Sequence, residues 1–191
     1  MKHENNFRLE NDQILLRALE PEDLELLYKW ENDPEIWTVS NTLTPISRFV
    51  LKQYIENSHL DIFQLGQVRF MIDRKPVAPD PTVKTIGTID LFDFDPQNMR
   101  VGVGILIKEE EERKKGYAGQ SLDVIIEYCF SVLLLHQVYC NIPAGNIQSI
   151  RLFQSKGFIE TGRKIDWLRK AQTWEDELIF QLIKSPSEMV L

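Results

Sequence analysis

The sequence is poor in cysteine, histidine and glycine, with two, three and nine among 191 residues. Cys129 and Cys140 show no metal-ligand spacing, and each sits in an apolar run, IIEYCFSVLLL and QVYCNI. They read as buried free thiols, which excludes a disulfide scaffold and suits a reducing cytoplasm. His3, His59 and His136 form no cluster with them, so no metal is expected. The longest apolar run, VLLL, is far too short to cross a membrane. The opening MKHENNFRLENDQ lacks the apolar core of a signal peptide. Basic residues are outnumbered, 22 against 29 acidic, for a formal charge of -7. That argues against nonspecific DNA binding, which needs a basic surface. The excess of acid is compatible with a cationic substrate, and equally with solubility alone.

What remains, 43% hydrophobic and 27% charged residues, describes a soluble globular chain with a full core. Its length suits one domain. We expect a loose polar lead over residues 1–11, a single domain over 12–184 and a tail over 185–191. QILLRAL reads as a strand. Pro21 opens a helix, PEDLELLYKWEN, with Glu22 and Asp23 in the first turn, where the helix dipole favours acids. A second helix is expected from Thr44-Pro45 through FVLKQYIENS. QVRFMID is a strand, and the three prolines of RKPVAPDPT mark a loop. VKTIGTIDLFDF and MRVGVGILI, joined by DPQN, predict an antiparallel hairpin. Ala118, Leu122, Ile125, Ile126, Cys129 and Leu133 follow the spacing of a buried helical stripe. QVYCNI is a further strand. Asn146 caps a short helix that Gly157 ends, and two long strands close the chain around a turn near 170–173. The pattern is mixed α+β.

The stretch EEEERKKGYAGQSL, residues 109–122, carries the chemistry. A helix start offers unpaired N–H groups and a positive dipole end, which together attract phosphate. Gly116 allows positive φ or close approach, Arg113, Lys114 and Lys115 add cations, and Ala118 and Gly119 keep the first turn free of bulk. An ordinary strand-to-helix turn beside a solvated charge run reads equally well from this stretch alone. The Walker pattern and the dinucleotide Gly-x-Gly-x-x-Gly are both absent. Gly102 and Gly104 lie inside a strand, which implies a bulge or a close approach by a ligand or backbone.

Arg113-x-x-Gly116-x-Ala118, followed by Asn146-x-x-Ser149-x-x-Leu152-Phe153-x-x-x-Gly157-Phe158, resembles the two signatures of the GNAT superfamily of acyl-CoA-dependent N-acyltransferases. The likeness extends over residues 13–183. LRALEPEDLELLYKWENDPEIW and the long closing strands resemble most the branch of spermidine/spermine and ribosomal-protein N-terminal acetyltransferases. The resemblance implies a mostly antiparallel mixed central sheet flanked by helices. It implies acetyl-CoA as co-substrate, with Arg113, Lys114, Gly116, Ala118 and Gly119 at its pyrophosphate. Ile105, Leu106 and Ile107 would pair with its pantetheine arm as an added strand does. Asn146 and Ser149 would lie near the thioester. The implied reaction is direct attack of a primary amine on the thioester. Asp90 is the base implied, with Asp93 and Asp95 as alternatives on the other face of the same strand. Phe153 stands where many relatives carry a proton-donating tyrosine, and a phenyl ring donates nothing. Ser149 could substitute, and Tyr117, Tyr128 and Tyr139 stay open. The acceptor pocket would come from the first two helices and the closing hairpin. Trp30, Glu31, Asp33, Glu35 and Trp37 could hold an ammonium by charge and cation–π contact, or could be core and solvated helix end. The acceptor is a polyamine or a peptide N-terminus by this likeness, with no DNA or membrane partner and a homodimer as an option. The alternative is a non-catalytic acyl-CoA-binding or protein-interaction module on the same scaffold.

Overall fold

A computed structural model describes residues 7–34, 37 and 44–184. Glu35, residues 1–6 of the expected lead and the expected tail from residue 185 lie outside the described residues. One seven-stranded sheet organises the chain. Its strands are β1 (Ile14–Arg17), β2 (Val68–Arg74), β3 (Lys84–Asp95), β4 (Arg100–Ile107), β5 (Gln137–Pro143), β6 (Ile159–Lys170) and β7 (Thr173–Ile183). They lie in the order β1-β2-β3-β4-β5-β7-β6. Every neighbouring pair is antiparallel except β4 and β5, which are parallel. The expected hairpin is β3–β4, and the closing strands are β6–β7, with β7 inserted between β5 and β6.

Alternation along the strands assigns two faces. Phe70, Ile72, Ile89, Leu91, Val101 and Val103 join Leu122, Ile125 and Cys129 of the long helix α4 (Tyr117–Ser131) in the larger core. On the other face Met71 joins Leu27 and Trp30 of α1 (Leu24–Glu31) and Leu51 and Ile55 of α2 (Arg48–Asn57). The thiols of Cys129 and Cys140 are buried, and burial pushes both up to about 12. Helix α2 starts at Arg48, later than Thr44-Pro45 suggests, because the Ser47 hydroxyl caps Val50 N–H at 3.2 Å. A one-turn helix, α3 (Ile62–Leu65), escapes the sequence reading. Asp61 and Gln64 cap it reciprocally, and Gly66 ends it at φ 68. The last helix is α5 (Ile147–Ser155).

Two expectations need correction. Residues 7–11 do not hang free: Leu9 O accepts from Leu16 N–H at 2.7 Å, Glu10 pairs with Lys75 at 2.7 Å, and Phe7 and Leu9 pack on the core. The face assignment of Asp93 and Asp95 also fails. Asp93 has φ 50, and the register shifts between Phe92 and Asp95, so counting by twos stops at Phe92.

The entry to α1 is fixed by charge. Arg17 donates to both Asp23 oxygens, at 2.7 and 2.8 Å, and to Asp73 at 2.8 Å, while Asp23 also accepts from Glu20 N–H. Burial alone would raise the Asp23 carboxyl, but Arg17 and the Glu20 amide outweigh it and hold it below the ordinary carboxylate range. A depressed carboxyl contributes stability above its unfolded pKa of about 4 and loses it as pH falls through the folded value. Arg17→Met should therefore cost about 3 kcal/mol at pH 7 and blunt the loss of stability between pH 5 and pH 3. Urea unfolding at the two pH values checks this; an undiminished pH dependence would refute it.

Candidate active site

The site begins where two strands part. β4 and β5 pair only through Arg100, Val101 and Gly102 with Gln137, Val138 and Tyr139. Beyond these, β4 keeps its partner β3 but has no strand partner on the side of β5 among the described residues. Lys108 N–H donates to Ile86 O at 2.8 Å, which fixes the ladder's alternation. Leu106 turns its backbone groups to Thr88, whereas Ile105 and Ile107 turn theirs to the gap. Of the three residues expected to pair with an added arm, Leu106 is thus already engaged by β3.

At the head of this gap stands α4. Its first amide with a backbone acceptor is Gln120 N–H, which donates to Gly116 O at 3.1 Å. The N–H groups of Tyr117, Ala118 and Gly119 have no acceptor among the described residues. Gly116 has φ 90, a conformation that L side chains avoid, so the bend needs glycine. Lys114, with φ 62, adopts a left-handed conformation without that licence. Arg113 does not project freely: its guanidinium donates to Ile107 O at 3.0 Å and Lys108 O at 3.2 Å, stitching the loop to the end of β4. The loop is also anchored from beneath. Glu112 is buried and pairs with Lys115 at 3.0 Å and Arg74 at 3.7 Å. Gly119 has a packing reason for its size, since a Cβ there would meet Lys156 at 3.3 Å. Lys156 in turn pairs with Asp123 at 2.6 Å.

Asn146 caps α5, its side chain accepting from Ser149 N–H at 3.1 Å. The Ser149 hydroxyl is half-buried and has no hydrogen-bond partner among the described residues. Phe153 is 4% exposed and meets Phe158 edge-on at 5.0 Å, so it is a core residue. The tyrosines are also placed. Tyr117 and Tyr128 pack with the larger core, and Tyr139 OH reaches Asp93 at 3.4 Å.

On the α1–α2 face lies a cavity of about 400 Å³ lined by Ile46, Leu51, Tyr54, Val68, Leu91 and Phe92, with Glu31, Arg69 and Asp90 as its charged groups. Arg69 Nε donates to Asp90 Oδ1 at 2.6 Å and Nη2 to Oδ2 at 3.3 Å; Nη1 donates to Glu31 Oε1 at 2.6 Å. Burial opposes the charge of Arg69, yet Asp90 and Glu31 prevail and hold its pKa above the ordinary value. Burial likewise raises the Tyr54 phenol, against the pull of Arg69. Asp90 lies opposite Gly104, two residues past the last β4–β5 pair. A Cβ on Gly102 would strike the Phe92 ring at 2.4 Å, so the close approach expected at Gly102 is made by a side chain of this chain. The other acceptor candidates disperse. Trp30, 3% exposed, belongs to the smaller core; Asp33 is paired with Lys108; Trp37 Nε1 donates to Glu31 O at 2.8 Å. Sequence reading misses Arg69 and Tyr54. The available signal was one arginine in QVRFMID, on the face that also carries Met71.

Residues 13–159 match the acetyltransferase (GNAT) domain, and the chain belongs to that family. It is an acetyltransferase. It is similar to spermidine N(1)-acetyltransferase of Vibrio cholerae, 24% identical over 156 residues that cover 82% of this chain and 84% of the other. It is also similar to the uncharacterized N-acetyltransferase p20 of Bacillus licheniformis, 26% identical over 176 residues, 92% of this chain and 96% of that one. Among solved structures, the Vibrio cholerae spermidine N-acetyltransferase in complex with CoA and spermine superposes with a TM-score of 0.77 at 22% identity. That likeness covers 91% of this chain and 96% of the other.

If the three amides bind the pyrophosphate, Gly116→Glu should abolish CoA binding in calorimetry by placing charge and bulk beside them. Gly116→Ala has room, with only Gln120 near at 3.8 Å, and carries just the backbone strain of about 1–2 kcal/mol. It should bind measurably. Unchanged affinity in Gly116→Glu would refute the loop assignment.

Proposed function

We propose that the protein transfers the acetyl group of acetyl-CoA to a primary amine by direct attack on the thioester. One observation carries this reading: the unpaired amides of Tyr117 to Gly119 stand at the head of the gap where β4 loses β5. The pyrophosphate would sit on those amides near Lys114 and Lys115, and the pantetheine would pair with Ile105 and Ile107. Asn146 and Ser149, at the start of α5, would lie beside the thioester. The names of the similar proteins offer spermidine or spermine as acceptors, and a peptide N-terminus is the second candidate.

In the reaction the amine nitrogen bonds to the carbonyl carbon, the carbon–sulfur bond breaks, and sulfur leaves as thiolate. An alkyl ammonium has a pKa near ~10, so a proton must first be removed. Asp90 is one candidate base, but Arg69 occupies both its oxygens. Glu31 Oε2 has no donor among the described residues and is the better-placed acceptor. Ser149 is the candidate donor to sulfur. A thiolate of pKa near ~8.5 also leaves without strong assistance, so its contribution is modest. The exposed Ile165, Trp167 and Trp174 on the β6–β7 hairpin at the sheet edge favour a homodimer through that edge.

Thiol release on mixing acetyl-CoA with amines tests the reaction. The buried Cys129 and Cys140 stay protonated at assay pH, so the signal reports coenzyme A alone. Release should occur with at least one amine class, and Ser149→Ala should slow turnover about tenfold with CoA affinity unchanged. No release with any amine, despite tight CoA binding, would reject the transferase reading; an unaltered rate in Ser149→Ala would remove Ser149 from the mechanism.

A further inference from the structure

The cavity beneath Tyr54 contains two carboxylates and one guanidinium. Arg69 is only 21% exposed, and Glu31 and Asp90 are 18% and 30% exposed. Arg69 stands between the acids and bonds to both, with its guanidinium carbon 5.7 Å from the centre of the Tyr54 ring. Two anions against one cation leave one negative charge in excess. Among the described residues, the single carboxylate oxygen of this trio without a donor is Glu31 Oε2. Ile46, Val50, Leu51 and Phe92 supply apolar lining, with Tyr54 and Gln67 as its uncharged polar groups.

We propose, on the footing of the transferase reading but against the polyamine acceptors that the similar proteins' names offer, that this cavity selects an amine with one positive charge and an apolar body and discriminates against polyamines. Arg69 is the specificity-determining residue. A polyamine brings two or more further ammonium groups. Each would need its own carboxylate or would sit unpaired against apolar side chains and a fixed guanidinium. Among the described residues the cavity supplies one free carboxylate oxygen. A singly charged amine places its ammonium on Glu31 Oε2 and its apolar body against Ile46, Leu51 and Phe92. Phe92 also lies over Gly102 and next to Gly104, between the cavity and the β4–β5 gap, which brings the amine to the side from which the thioester is reached. Specificity then has a repulsive element as well as an attractive one.

Calorimetric titration of the CoA-bound protein with phenethylamine and with spermidine tests this independently of turnover. Phenethylamine should bind at least tenfold more tightly. Arg69→Gln should shift the ratio at least tenfold toward spermidine, and Arg69→Lys, which keeps the charge, should retain the wild-type preference. Spermidine binding as tightly as phenethylamine in the wild type would overturn the proposal without recourse to a variant. So would an unchanged ratio in folded Arg69→Gln. Thiol release measured in parallel with acetyl-CoA and the same two amines separates the two claims: a preference for phenethylamine without release supports the selectivity and counts against the reaction, whereas release with spermidine bound more tightly does the reverse.

Discussion

The parting of β4 and β5 after Gly102 and Tyr139 is the constraint on which the rest of the structure depends. Parallel strands that stay paired would bury every backbone group of β4 in the sheet. Here the sheet keeps its continuity through β3 on one side and β7 on the other, so the two strands can diverge without either half losing its core. The divergence leaves both backbone groups of Ile105 and the N–H of Ile107 on an interior edge, while Arg113 takes the Ile107 carbonyl. An edge of this kind is a liability unless something pairs with it. A ligand with an amide-bearing arm would turn the liability into a binding site.

The same divergence places α4. The loop from Ile107 to Gly116 is short and must turn sharply, and its geometry is fixed at three points: Arg113 on the β4 carbonyls, Glu112 between Arg74 and Lys115, and Gly116 at positive φ. These contacts hold the free amides of the helix rigidly at the mouth of the gap, and rigid donors cost little reorganisation when an anion arrives. On the opposite face, α1 and α2 cover β2 and β3 incompletely, and the space left over Arg69 is the proposed acceptor cavity. Cofactor loop and acceptor cavity are thus products of one sheet, read from its two sides.

Much of this was legible in the sequence because local rules suffice. The α4 stripe, the Asn146 cap and the alternating hairpin are all short-range patterns, and each is found where its pattern puts it. The helix α3 was missed although Asp61, Gln64 and Gly66 spell its caps, because four residues are too few for periodicity to register. The insertion of β7 between β5 and β6 is a long-range pairing with no local signature. The acceptor side was legible only in part. Glu31 reaches the cavity, but Trp30 and Asp33, its neighbours in sequence, point to the core and to Lys108. One face of a helix divides neighbours that a linear reading groups together. Arg69 was overlooked because a single charge in an apolar strand looks like an ordinary surface position until its partners, Glu31 and Asp90, are brought from elsewhere in the chain.

The central claim is that the amides opening α4 receive a diphosphate. Hydrogen–deuterium exchange of the protein with and without coenzyme A tests it most directly. The account predicts slowed exchange over residues 114–119, together with slowing at Ile105 and Ile107 on the open edge of β4. Unchanged exchange over both stretches at saturating coenzyme A, with protection appearing elsewhere, would contradict it.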